Sequence, residues 1–192
     1  MAEEADEARE TFAVGGKQVQ VTYTSVFRGT MLGTTDSGEH VDRTGMLIWP
    51  ASYLMCDFLA KFASSLQNVQ LVELGCGVGV CAVVAAMHDL SVITSDVDPE
   101  VLERTRSNLA ANLSEQQLAR CDVQCVDWTD RSTWAALPKT SVVYAADVIY
   151  PASPDHIIAG LLDTAMSLLS SAGCFVSSFI ARDGKKTLRR LL

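Results

Sequence analysis

Beyond residue 68 the apolar positions fall into short continuous runs that alternate with segments of helical spacing. Strands are predicted near 70–74, 91–95, 122–126, 141–146 and 173–180, and helices over 79–87, 99–112 and 155–169. Many Ala, Val and Leu residues with few aromatics suit a sheet covered on both faces by helices. Upstream the pattern changes. From Phe12 to Thr30 the residues alternate, with Val19, Val21 and Tyr23 on one side and Gln18, Gln20 and Thr22 on the other, which predicts a β-hairpin outside the main sheet. A polar stretch from Gly33 to Arg43 follows, and Thr44 to Pro50 opens a helix running to about Phe62, with the proline at its start. Asp98-Pro99-Glu100 carries the start signals of the 99–112 helix. Strands alternating with helices specify a doubly wound, mostly parallel α/β sheet joined by right-handed crossovers.

Composition narrows the picture. A chain of 192 residues that is 48% hydrophobic and 7% aromatic holds one domain with a substantial core. Residues 1–10 are rich in Glu and Asp and are expected to form an acidic flexible tail, leaving 11–192 as a single domain with an N-terminal extension over 11–43. A net charge of −8 argues against DNA or bare RNA as the main partner, because phosphate contacts need clustered Lys and Arg, and favours a protein of basic or neutral character. No apolar run is long enough to cross a bilayer, and the acidic start lacks the features of a signal or transit peptide, so a cytoplasmic or nuclear location is expected. No pattern suggests self-association, and monomer is the default. The cysteines at 56, 76, 81, 121, 125 and 174 form no Cys-x-x-Cys pair and lie near no histidine at zinc-ligand spacing. Free thiols and no metal are expected.

The candidate chemistry lies where the first strand of the sheet ends. Leu71-Val72-Glu73-Leu74 runs directly into Gly75-Cys76-Gly77-Val78-Gly79, a turn that lets a ligand approach the main chain and presents the N–H groups of the next helix. The second strand ends in Asp96, where open α/β sheets grip ribose hydroxyls. Together these indicate a nucleoside-containing ligand. The third glycine is misplaced for the Gly-x-Gly-x-x-Gly dinucleotide pattern, which makes a nicotinamide-dependent oxidoreductase a distant alternative.

Gly75-x-Gly77-x-Gly79 after Glu73 resembles motif I of class I S-adenosylmethionine-dependent methyltransferases, with Asp96 matching their acidic residue after the second strand. Three further pieces occur in order: Thr44-Gly45-x-x-x-Trp49, Asp127-Trp128, and Ala145-Ala146-Asp147-Val148-Ile149-Tyr150. The set resembles the family 16, lysine methyltransferase-like enzymes over roughly residues 40–182. The resemblance implies a Rossmann-like, seven-strand-type sheet and an S-adenosylmethionine-dependent protein N-methyltransferase that acts on lysine and releases S-adenosylhomocysteine. Carried over by position, Trp49, Gly75, Cys76, Gly77, Asp96, Trp128 and Ala146 would bind the cofactor. Asp147 and Tyr150 match the Asp-x-x-Tyr motif of the methyl-transfer site. Family members usually continue past the fifth strand into a helix and an antiparallel strand pair, and Asp183 to Leu192 resembles the first turns of that helix, so the C-terminal strand pair is expected to be truncated.

Each assignment has a plainer counterpart. Trp128 could plug a core edge, Trp49 could anchor its helix, Asp147 could cap a helix or turn, and Tyr150 could simply pack. Glu73 would contact the cofactor's amino-acid part, directly or through water, or hold the turn's N–H groups. Cys76 suits a place where any small residue suffices, and Trp134 has no motif neighbour. The competing functions are a methyltransferase acting on a small molecule or on histidine, and a non-catalytic cofactor-binding module for protein interaction.

Overall fold

The computed structural model describes residues 5–27, 32–34, 40–151, 153–184, 186 and 189. At its centre is a five-stranded parallel sheet of β5 (Gln70–Leu74), β6 (Ser91–Asp96), β7 (Cys121–Cys125), β8 (Thr140–Ala146) and β9 (Leu169–Ser178), in the order β7-β6-β5-β8-β9. The chain moves outward from β5 through β6 to β7, then returns across β5 to β8. That reversal puts the switch point, where ligands bind in open α/β sheets, at the carboxyl ends beside β5.

Strand alternation splits the core into two layers. Leu71, Val92, Val142 and Tyr144 face helices α1 (Pro50–Phe62), α2 (Val80–Met87) and α3 (Pro99–Asn112). Val72, Leu74, Ile93, Val143 and Ala145 face α5 (Asp155–Leu168), which buries Ile158, Leu161, Ala165 and Leu168. Helix α2 is buried from Val80 to Ala86, so it is apolar all round rather than striped. The start of α3 follows its local signals: Asp98 accepts from the Glu100 N–H, and Pro99 occupies the first turn. A short helix, α4 (Glu115–Leu118), was not predicted. It is closed by a capping box between Ser114 and Gln117.

The predicted hairpin exists and is longer than expected. Strands β1 (Ala5–Val14) and β2 (Lys17–Phe27) pair antiparallel around Gly15-Gly16, both at positive φ as a tight two-residue turn requires. Val19 and Val21 are fully buried against the helical layer. The expectation of a flexible tail over 1–10 needs correction, because Ala5 to Glu10 are strand residues. Their backbone pairs with β2, and their charges find partners across the fold: Glu7 with Arg104, and Glu10 with the Tyr53 hydroxyl at 2.7 Å. Residues 1–4 of that tail lie outside the described residues, as do 35–39 of the polar stretch, where β3 (Leu32–Thr34) and β4 (His40–Asp42) form a short ribbon. Most of the helix expected after Asp183 also lies outside them.

Two asparagines on α3 clasp the hairpin. Asn108 accepts from the Thr22 N–H at 2.9 Å and donates to the Thr22 carbonyl at 3.0 Å and the Val78 carbonyl at 2.8 Å. Asn112 does the same for Gln20, at 2.8 and 2.6 Å. The amides thus replace a neighbouring strand along β2. Asn108 is buried, and its loss would leave buried main-chain groups unpaired. Asn108→Ala is expected to cost roughly 2–3 kcal/mol in urea unfolding, and Asn112→Ala, at a more exposed site, about 1 kcal/mol or less. Equal losses at the two positions would contradict this account.

Candidate functional site

Strand β5 leaves the sheet through Gly75, whose φ of +74° only glycine adopts cheaply. A Cβ there would lie 2.6 Å from Val148 Cγ1 and 3.2 Å from Trp128 Cζ2. The turn is therefore packed beneath the loops that follow β7 and β8. The Cys76 N–H donates to the Ser95 carbonyl at 2.8 Å, and the Gly77 N–H donates to Asp96 Oδ2 at 3.1 Å. Asp96 Oδ1 accepts from the N–H groups of Val97 (2.8 Å) and Asp98 (3.3 Å). Oδ2 keeps a lone pair for a further donor on its partly exposed side. Burial raises the Asp96 pKa, and the three N–H donors work against that rise.

Beneath the turn lies a buried polar cluster. Glu73, Thr94 and Tyr144 are register neighbours on one sheet face. Thr94 Oγ1 donates to Glu73 Oε2 at 2.6 Å, and the Ser95 hydroxyl donates to the Glu73 carbonyl at 2.7 Å. The Glu73 carboxyl is 1% exposed and bonds to Thr94 rather than to a turn N–H, so it supports the turn from below. Desolvation raises its pKa to about 7, against the hydrogen bond from Thr94. Burial, together with the charges of Asp96 and Glu73, pushes the Cys76 thiol well up. That thiol stays protonated, which removes it as a nucleophile.

The entry segment lies on top. Gly45 packs on Gly77, with the Gly45 carbonyl 3.0 Å from where a Gly77 Cβ would be. Asp42 Oδ1 accepts from the Thr44 N–H (3.0 Å) and hydroxyl (2.5 Å), and Asp42 Oδ2 accepts from the Tyr150 hydroxyl at 3.4 Å. Tyr150 is half-buried; burial, then the Asp42 carboxylate, pushes its pKa up to about 12. Trp49 is the N-cap residue of α1, and its indole N–H donates to the Thr44 carbonyl at 2.8 Å.

Asp147 follows Ala146, the last residue of β8, at a φ of +57°. Its buried carboxylate is fully engaged: Ala51 N–H to Oδ2 (3.2 Å), Ile180 N–H to Oδ1 (3.4 Å), and Arg182 to both oxygens (3.0 and 2.7 Å). The Arg182 guanidinium also lies 4.9 Å from the centre of the Trp49 ring. Asp147 thus ties the first turn of α1 to the end of β8 and holds an ion pair with Arg182.

The structure therefore brings Trp49, Gly75, Gly77, Asp96, Trp128, Ala146 and Asp147 to one end of the sheet. It leaves Glu73 below and joins Tyr150 to the group through Asp42. Trp134 is buried and packs, as its lack of a motif suggested. Arg182, Asp42 and Thr105 were missed. Thr105 donates to the Gly77 carbonyl at 2.6 Å, and its place on the buried stripe of α3 was a usable signal. Arg182 follows the last strand without any local pattern. A groove of about 630 Å³ between Trp134 and α5 shares only Trp128 with this site. Among the described residues, no cluster could hold a metal, and no helix is long and apolar enough to cross a membrane.

A sequence model of the lysine methyltransferase family matches residues 32–187, which contain every element of the site. The chain belongs to the lysine methyltransferase family. Within it, the chain is 29% identical over 104 residues to protein N-lysine methyltransferase METTL21A of Xenopus tropicalis, covering 54% of this chain and 47% of that protein. It is 27% identical over 150 residues to protein-lysine methyltransferase METTL21E of Mus musculus, covering 73% and 53%. The chain spans about half the length of the curated relatives it matches. Among solved structures, the T. thermophilus 16S rRNA N2 G1207 methyltransferase RsmC aligns with a TM-score of 0.61 at 14% identity, over 88% of this chain and 41% of that one. That likeness shows the Rossmann-like methyltransferase fold expected for a family member.

Two outcomes follow from the turn. Gly75→Ala combines an unfavourable φ with overpacking against Val148, and is expected to destabilise the fold by roughly 2–4 kcal/mol in thermal or urea unfolding. Glu73 titrates near 4.5 when unfolded and near 7 when folded. The folded state therefore binds more protons between those values, and stability falls as pH rises through that window. Glu73→Gln should gain on the wild type by roughly 2–3 kcal/mol between pH 5 and pH 7.5. Parallel pH profiles would show that Glu73 ionises normally.

Proposed function

We propose that this protein binds S-adenosylmethionine and transfers its methyl group to a lysine side chain of a protein substrate, releasing S-adenosylhomocysteine. One observation carries the reading: the Gly75–Gly79 turn and the Asp96 carboxylate, joined through the Gly77 N–H, stand at the carboxyl ends of adjacent strands at the switch point. The names of the relatives support the substrate class, since METTL21A, METTL21E and EFM3 of Chaetomium thermophilum are all called protein-lysine methyltransferases.

The residues fit the cofactor. The free lone pair of Asp96 suits a ribose hydroxyl, and the half-buried Trp128 ring beside Gly75 offers an aromatic surface to a base, a contact worth about 1–3 kcal/mol. When bound, the sulfonium supplies an already activated methyl group. The protein's task is then to align a lysine and hold water away. Presenting a neutral lysine near pH 7.4 costs about 4 kcal/mol from its reference pKa. Tyr150 remains a phenol at neutral pH, so its oxygen can orient an amine but cannot take its proton. The exposed Asp42 carboxylate accepts the Tyr150 hydroxyl proton in a hydrogen bond and so aims the free lone pair of the phenol oxygen, while the ammonium gives its proton to solvent before transfer. Asp147 is held by Arg182 and by the Ala51 N–H at the start of α1.

A second reading, a cofactor-binding module without turnover, draws support from the complete engagement of Asp147. Titration calorimetry with S-adenosylhomocysteine separates the possibilities. Saturable binding by the wild type, weakened at least tenfold in Asp96→Ala, is expected, with methyl incorporation into lysines of lysate proteins detected by mass spectrometry. Tyr150→Phe should retain the binding and lose at least tenfold in transfer. Binding with no incorporation would favour the module, and incorporation into histidine or a metabolite would redirect the substrate class. No binding by well-folded wild type would end the cofactor assignment.

A further inference from the structure

The acceptor side of the proposed site already contains a cation, supplied by the chain itself. Arg182 Nη1 donates to Asp147 Oδ1 at 3.0 Å, and Nη2 donates to Oδ2 at 2.7 Å. The guanidinium also covers the Trp49 ring. A carboxylate set beside an indole face is a recognition pair for alkylammonium and guanidinium groups, combining a charge-assisted hydrogen bond with cation–π attraction. Both parts come from segments that define the site: Trp49 ends the entry segment, and Asp147 follows the last residue of β8.

The two members of the ion pair differ in access. The Asp147 side chain has no exposed area, whereas that of Arg182 is 30% exposed. Solvent therefore reaches the pair from the arginine side. If Arg182 withdrew, the carboxylate would keep its main-chain donors at Ala51 and Ile180 and lack only a cation. An incoming ammonium would restore the charge balance, so the exchanged state again pairs the buried Asp147 with a cation.

With Asp147, of the Asp-x-x-Tyr motif, and the Trp49 ring taken as the place where the ammonium of the acceptor lysine binds, we propose that Arg182 is an internal competitor the acceptor must displace. The proposal rests on the reading of this site as that of a lysine methyltransferase. The subsite acts in binding only and takes no part in proton transfer. Occupancy by Arg182 lowers the apparent affinity for any external cation by the fraction of molecules in which the subsite is open. It also gives a physical reason for selectivity, since a neutral acceptor would have to break the ion pair without replacing it.

The probe is n-butylammonium chloride, with sodium chloride at equal ionic strength as the control. Binding is read from the indole N–H resonances, with that of Trp49 assigned through Trp49→Phe. In the wild type, weak saturable binding should shift the Trp49 resonance and leave that of Trp134 unmoved. Arg182→Gln, which keeps a planar group near the ring without the charge, should lower the apparent Kd at least tenfold. Adding Asp147→Asn to Arg182→Gln should remove the gain. A structural anchor would behave differently, giving a lower Tm without tighter binding. Equal or weaker binding by Arg182→Gln, or tightening that survives Asp147→Asn, would overturn the proposal. If Arg182→Gln does not melt cooperatively, the wild-type titration decides, and an unmoved Trp49 resonance rejects the subsite. Titrating S-adenosylhomocysteine into the same samples keeps the two readings apart. Nucleoside binding without the cation effect rejects only the subsite, whereas tighter cation binding without nucleoside binding rejects only the cofactor assignment.

Discussion

Strand β5 ends with room for a hydrogen atom and nothing larger. At Gly75 the main chain passes so close to Val148 and Trp128 that a methyl group would overlap the first and press on the second. Because the chain can pass there at positive φ, the loop after β8 settles directly onto the turn. The following residues then point their N–H groups at Asp96 and Ser95. The entry segment lies on the same turn, with the Gly45 carbonyl against Gly77. Three loops from distant parts of the chain thus stack on one turn, and their separations are set by the absence of side chains.

What joins these loops is polar and continuous. Tyr150 bonds to Asp42, Asp42 to Thr44, the Thr44 carbonyl to the Trp49 indole, and the Trp49 ring carries Arg182. Arg182 pairs with Asp147, which returns to Ala51 in the first turn of the helix that Trp49 caps. The links to Asp147 satisfy a carboxylate that burial would otherwise penalise. The two residues of the Asp-x-x-Tyr motif, only three positions apart, are therefore coupled through side chains from the entry segment and from beyond β9. Beneath them the Glu73, Thr94 and Tyr144 cluster is closed to solvent. The Glu73 carboxyl is a weaker acid there than in water, because desolvation exceeds the hydrogen bonding it receives.

The order and extent of the central elements were legible because their signals are local. Apolar runs bounded by Gly75 and Asp96 marked β5 and β6, and Asp98-Pro99 placed the start of α3 to the residue. The glycine turn, Asp96 and the Trp128 loop could be assigned to one site because strand ends in a parallel sheet share an edge, whatever the side chains do. The acidic start misled for a physical reason. Its composition suits a solvated tail, yet strand pairing depends on backbone groups and on a partner, and β2 together with Arg104 and Tyr53 provides both.

By itself, the sequence determined the fold class, the glycine turn and the family, since each is written in short-range periodicity or in motifs of fixed spacing. Only the tertiary structure decided what the polar side chains do. Asp147 meets Arg182 across 35 positions, Asp42 meets Tyr150 across 108, and Asn108 meets Thr22 across 86. Such pairings carry no local signature, because they depend on which strand ends and helix faces the sheet order brings together. A carboxylate reads the same in a sequence whether it faces water, caps a helix or holds a cation; burial and distance settle which.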